Sequence, residues 1–317
     1  MNKLFPILLL TIASCNSHIK NDDKIAYEEP GTEVNASKSN SIQVNQKSGQ
    51  VVSKIDDIIG FWVGDFKPKE NESDDYSKRK ELYVDEGFSW NRTNKINISI
   101  DSVREEKVYG HSVVAGNSQI FRGTYTENDN SFDFDLKEPE KGLYDGAFKF
   151  SIIKGATNIV GEWTAYNKID VSVRVYNLSK KVFEYNKDQN LEEFEFVDWS
   201  IKKTTHYEPE IDEYYSQFAS ATPQIFKINA SNTLLKKEDV ANLKKGDLLI
   251  IRNAIYARHG YSFKNRPLRV FFDKQSWYIP VYSDIKNDFT EIEKANIKLL
   301  LRYEKNAKEY YDYFGRG

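Results

Sequence analysis

Cysteine and methionine are almost missing from this 317-residue chain, which has one of each. A fold stapled by disulfides is excluded, because the lone thiol of Cys15 has no partner in its own chain. Histidine is scarce too. His18, His111, His206 and His259 lie far apart, without the His-Glu-x-x-His spacing that places two imidazoles on one metal. No transition metal and no other cofactor is therefore expected. The chain also lacks the Gly-x-Ser-x-Gly turn of hydrolases and any phosphate-cradling glycine loop. Its net charge of −3 gives no broad basic footprint, which excludes nucleic acid as a partner. No apolar run is long enough to form a membrane-spanning helix.

The longest such run, Leu4 to Ala13, follows the basic Lys3 and has the length of a signal-peptide core. It leads into Ile12-Ala13-Ser14-Cys15, an aliphatic residue and two small ones before the cysteine. This resembles the lipobox of bacterial lipoproteins. The resemblance implies cleavage after residue 14, lipid on Cys15, and a partner in the membrane outside the cytoplasm. Acylation would account for the unpaired thiol. At about 0.8 kcal/mol per buried methylene, one acyl chain holds marginally and two or three hold almost permanently. Residues 15–54 are polar and poor in aromatics, so they are read as a disordered acylated tether with a span of about 35 Å.

Aromatic residues make up 14% of the chain, with 20 tyrosines and 19 phenylalanines, which favours β-structure. Over residues 55–186 the pattern becomes one of short alternating runs. Ile96, Ile98 and Ile100 alternate with Asn97, Ser99 and Asp101; Phe132, Phe134 and Leu136 alternate with Asp133, Asp135 and Lys137; Val171, Val173 and Val175 follow suit. A period of two with one polar face indicates antiparallel strands. About eight to ten such runs with turn residues between them predict a barrel or a sandwich. Gly60-Phe61-Trp62 is similar to the Gly-x-Trp that opens lipocalin-like barrels. That likeness implies either a tryptophan capping a sheet core or a barrel mouth that holds a ligand.

Residues 187–233 read as a connector, with a strand around Phe194, Phe196 and Val197 and a short helix from Glu210 to Phe218. Residues 234–308 form a small, mainly helical domain, and 309–317 a tail. The overall class is thus α+β and multi-domain. In the helical part, Asp247 to His259 predict a helix that Gly260 stops, with Arg258 and His259 complementing the negative end of its dipole. Thr290-Glu291-Ile292-Glu293 is a capping box opening the last helix, whose apolar face is read as Ile292, Ala295, Leu299 and Tyr303.

The run Arg252-Asn253-x-Ile255-Tyr256-Ala257-Arg258-His259-Gly260-Tyr261-x-Phe263 resembles the signature of the YARHG domain. Phe271-Phe272, Trp277-Tyr278 with Pro280, Glu293, Asn296-Ile297 and Glu304 fall where that pattern places them, and Phe289 departs from it by standing at an aliphatic position. The resemblance implies an extracellular bacterial module with no established chemistry and a role at the envelope or wall.

Helical geometry adds a reading of the motif itself. At about 100° per residue, Leu248, Ile251 and Ile255 define a stripe, and Arg252 and His259 project within about 60° of it. Inward polar groups need partners, and Asp273, Glu293 and Glu304 are the candidates. Arg252, Tyr256 and His259 are thus read as a network pinning helices together, and Arg258, about 80° off the stripe, as an exposed contact. With Gly260, Trp277 and Tyr278 they make up the candidate binding or structural motif.

Acid pairs such as Asp85-Glu86 and Glu192-Glu193 read as solvated surface. The function that follows is a non-catalytic envelope lipoprotein binding wall polymer (peptidoglycan), glycan or another envelope protein. The alternatives are a carrier of a small apolar ligand and a hydrolase using His259 with Ser262 or a carboxylate pair in the barrel.

Overall fold

The computed structural model describes residues 51–69, 92–208, 210, 213–285 and 287–307. Cys15, the signal segment, all but the end of the tether, the pair Asp85-Glu86 and the C-terminal tail lie outside them. Among the described residues, no helix is long and apolar enough to cross a membrane.

The alternating runs close into an eight-stranded antiparallel barrel with strict up-and-down order. Its strands are β1 (Gly60–Pro68), β2 (Asn94–Arg104), β3 (Lys107–Val114), β4 (Asn117–Glu127), β5 (Ser131–Lys137), β6 (Gly146–Ile153), β7 (Asn158–Ala165) and β8 (Val173–Lys181). β8 returns to pair with β1, from Phe61↔Lys181 to Pro68↔Arg174, so no edge is left open. Between β3 and β4 the chain reverses through Ala115 and Gly116, both at positive φ, as a tight hairpin requires.

Inside, Trp62, Phe66, Ile96, Ile98, Phe121, Phe132, Phe148, Trp163, Tyr176 and Leu178 interdigitate as one buried cluster. The barrel core is therefore packed with side chains, which deprives the carrier reading of its cavity. One mouth is stoppered by the turn of 3-10 helix Ile55–Ile58, whose Ile58 carbonyl accepts the Trp62 indole N–H at 2.7 Å. The Trp of Gly60-Phe61-Trp62 thus ties a plug to the core. Charged residues such as Asp65, Lys149 and Glu162 occupy outward positions, the reverse of a lipid-facing barrel.

One strand is phased differently from the expectation. Val173 and Val175 of β8 are only partly buried, and the inward positions belong to Arg174, Tyr176, Leu178 and Lys180. The two cations sit where β8 reaches the ends of the barrel. Arg174 lies 5.1 Å over the Phe66 ring and donates to the carbonyls of Phe66 and Arg92. Lys180 lies over Trp62 and donates to the Asp57 carbonyl.

The connector holds a hairpin of β9 (Val197–Glu208) and β10 (Glu213–Ser220), so the helix expected over Glu210 to Phe218 is corrected to a strand. The strand pairs with β9 from Glu213↔Glu208 to Ser220↔Val197, a partnership across the hairpin that local propensity does not reveal.

Among the described residues four helices follow: α1 (Lys237–Val240), α2 (Lys245–Arg258), α3 (Arg266–Asp273) and α4 (Glu291–Asn306). α2 is buried almost all round, with Leu248, Ile250, Ile251, Ala254, Ile255 and Ala257 in the core. Asp247 fixes its start, accepting from the N–H groups of Lys244 and Thr222. Thr290 and Glu293 cap α4 reciprocally. The buried side of α4 matches the expected one only in part: Leu299 and Tyr303 pack against the core, Ile292 and Ala295 are exposed, and Glu293, Asn296, Leu300 and Glu304 face in.

The barrel rests on this helical part through specific bonds. The Lys95 N–H on β2 donates to Asp273 Oδ2 at 2.9 Å, and Lys95 Nζ donates to the carbonyls of Gln275 and Tyr278. The N–H of Gly116, in the β3–β4 turn, donates to Ser262 Oγ at 2.9 Å. A Cβ on Gly116 would stand 2.1 Å from the Lys264 side chain, so the contact needs glycine.

Candidate functional site

The end of α2 and the face of α4 opposite it carry the polar groups of the C-terminal domain. Arg252 forks onto Glu304, Nε to Oε2 at 2.9 Å and one terminal nitrogen to Oε1 at 3.2 Å. Both side chains are largely buried, at 13% and 4% exposure. One turn on, Tyr256 packs edge-on against Phe289 at 4.9 Å and Tyr261 at 5.9 Å. Phe289, the departure from the aliphatic position, fills the corner between Tyr256 and His259.

His259 Nε2–H donates to Glu293 Oε2 at 2.8 Å. Glu293 is fully buried and takes further hydrogen bonds from Thr290 and from the Tyr185 hydroxyl at 3.0 Å. Burial works against its charge, but the bonds from His259, the Thr290 N–H and Ser231 outweigh it and hold the carboxyl below the usual glutamate value. On its other side the imidazole stacks on Tyr185, with centroids 4.2 Å apart.

Arg258 is only 4% exposed, which corrects its expected role as a surface contact. Its Nε donates to the Gln189 carbonyl at 2.7 Å and a terminal nitrogen to Ser231 Oγ. The physical reason is cover from a distant part of the chain: the connector, through Gln189 and Ser231, lies over the guanidinium at the end of α2. Burial brings the guanidinium down to about 10, opposed by the nearby Glu293, Tyr185 and Asp188.

Gly260 ends the helix at φ +73, and a Cβ there would stand 2.8 Å from the Phe183 ring. Trp277 is half-buried, edge-on to Tyr278. Tyr278 lies in the core beside Phe272 and donates its hydroxyl to the Tyr261 carbonyl at 2.7 Å. Asn296 is fully engaged, accepting from the Leu235 N–H and donating to the carbonyls of Ala230 and Thr233.

Of the three carboxylates proposed for the motif cations, Glu304 holds Arg252 and Glu293 holds His259, whereas Asp273 serves the barrel contact. His259 and Ser262, named together for hydrolysis, each hydrogen-bond to another residue: Ser262 to Gly116, and His259 Nε2 to Glu293. The buried acids of the barrel are engaged as well: Glu138 accepts from Ser112, the Gly146 N–H and Trp163, and Asp145 from the N–H groups of Lys141 and Gly142. Among the described residues, His, Cys, Asp and Glu do not gather in groups of three able to hold a metal ion.

Tyr185, Gln189, Ser231 and Gln275 take part without having been anticipated. They approach the motif from positions distant in sequence, and no local pattern marks them. On the barrel's outer side, β1 and β5 to β8 form a concavity of about 1030 Å³, lined by Asp65, Asp133, Lys149, Val160, Glu162 and Asn177 among others.

No curated protein and no solved structure matches the chain significantly. The YARHG domain family matches residues 224–305, a span that opens in the 3-10 turn Pro223–Phe226 and closes at the end of α4, so the chain carries a YARHG domain behind its eight-stranded barrel.

Proposed function

We propose that this chain is a non-catalytic, lipid-anchored protein of the bacterial envelope, held through Cys15, whose barrel and YARHG domain bind a wall polymer, a glycan or another envelope protein. The observation that carries the reading is the fate of the signature's polar groups. Arg252, Arg258 and His259 each hydrogen-bond to partners within the fold. Nucleophiles and general bases need a group poised toward substrate, and these face inward. Support for a binding role comes from the shallow outer concavity of the barrel, whose lining mixes carboxylates, lysines, an amide and aliphatic side chains. The lipid anchor is supported by the lipobox-like run before Cys15.

Pulldown with purified peptidoglycan and with soluble glycans tests the reading. Retention at low ionic strength that weakens in Asp65→Lys/Glu162→Lys is expected. Absence of retention on both would remove the polymer and glycan versions.

A further inference from the structure

Residues 182–196 run without regular secondary structure from the end of the barrel to β9, and the signature end of α2 lies beneath them. The Phe183 ring sits against Gly260 and edge-on to Tyr282 at 5.8 Å. Tyr185 lays its ring on His259 and gives its hydroxyl to Glu293. Arg258 takes the Gln189 carbonyl, and Asn229 takes that of Lys187 at 2.9 Å. The Gln275 amide grips one residue on both sides: its oxygen accepts the Glu192 N–H at 2.7 Å and its nitrogen donates to the Glu192 carbonyl at 3.3 Å. The Glu192 carboxylate then receives the N–H and hydroxyl of Ser276.

Floor and strap differ in burial. Arg258, His259, Gln275 and Glu293 are all buried, whereas Tyr185 is 38% exposed and residues 184–188 are exposed throughout. A buried polar floor gripping main-chain groups, with pockets for alternate side chains, is how proteins read extended peptides.

We infer that the signature face of this YARHG domain is a binding site for an extended peptide with the pattern Phe-x-Tyr followed by a carboxylate, filled in this chain by its own segment Phe183 to Glu192, which runs from the end of β8 into the connector. Arg258, Gly260 and Gln275 read the backbone and its close approach, and His259 with Glu293 reads the second aromatic. A partner protein bearing such a segment would bind where the connector is displaced. The inference deepens the binding reading above and rests on it for its biological use. Retention on wall polymer and capture of a peptide are separate readouts, so either can fail alone.

The test uses the full chain and a fluorescein-labelled peptide copying Val182 to Phe194, followed by fluorescence anisotropy. Tyr185→Ala/Glu192→Ala loosens the resident strap and is expected to bind the peptide at least tenfold more tightly than the unmodified chain. Adding Gln275→Ala should remove that gain. A folded double variant that binds no better than the unmodified chain would overturn the inference. Should the double variant unfold, native-state hydrogen exchange of the unmodified chain decides. A Glu192 amide exchanging at least a hundredfold faster than that of Ile255 supports a releasable strap, and exchange of both through the same global opening overturns it.

Discussion

Asp273, the last residue of α3, accepts the backbone N–H of Lys95 on β2 at 2.9 Å, one of the bonds that join the YARHG domain to the barrel. Burial drives this carboxyl up to about 7, against the opposing pull of the Lys95 N–H and the charges of Lys95 and Arg269. Folding therefore favours the protonated acid. Its contribution to stability is complete below the ordinary value of 3.8 and is lost as pH rises through about 7. Asp273→Asn keeps an acceptor for Lys95 without the charge. Thermal melts should show little difference from the unmodified chain below pH 4, an advantage for the variant that grows between about pH 4 and 7, and a level advantage above that.

Glu293 supplies the opposite dependence. Its carboxyl is held below 4.5, so the stability it lends is present above that value and is lost as pH falls through the lowered one. Glu293→Gln should lower the urea midpoint at pH 7, and the gap to the unmodified chain should narrow as the solution is acidified toward pH 3.

Arg252 and Glu304 meet as a fork in a largely buried setting. Removing one partner leaves the other charge uncompensated, so Arg252→Ala should destabilise by about 3 to 5 kcal/mol. Arg252→Lys keeps the charge but loses the planar fork and should fall between the two. Arg252→Met/Glu304→Leu should recover most of the loss, since an apolar pair needs no compensation. Chemical denaturation of the three variants checks the order.

Gly260→Ala places a methyl group 2.8 Å from the Phe183 ring at a backbone angle that only glycine adopts freely. The expected cost is about 1 to 3 kcal/mol. Because the clash falls on the strap, exchange protection of the Glu192 amide should drop more than that of the α2 interior.

How much of this was legible in the sequence follows from which forces act locally. The barrel strands announce themselves because each buries one face, as with Ile96, Ile98 and Ile100. β8 misled because its inward residues at the barrel ends are Arg174 and Lys180, which hydropathy reads as outward. α4 misled for the same reason: the face carrying Glu293, Asn296 and Glu304 looks polar, yet it is buried because Arg252, His259 and the 230–235 backbone satisfy it. The stop at Gly260 and the capping box at Thr290 were readable, being set by backbone geometry within a few residues. Arg258 was misplaced because a helical wheel knows only its own helix. The connector that buries it arrives from about 70 residues earlier, and nothing near Gln189 marks it as a partner.

The signature residues Arg252, Arg258 and His259 bond to partners inside the fold and hold it together. Equilibrium urea unfolding of His259→Ala, monitored by tryptophan fluorescence at pH 7, tests that role most directly. Loss of the bond to the buried Glu293 and of the stack on Tyr185 should lower stability by about 3 kcal/mol. A variant with an unchanged midpoint would contradict the account, because His259 would then be free for another role.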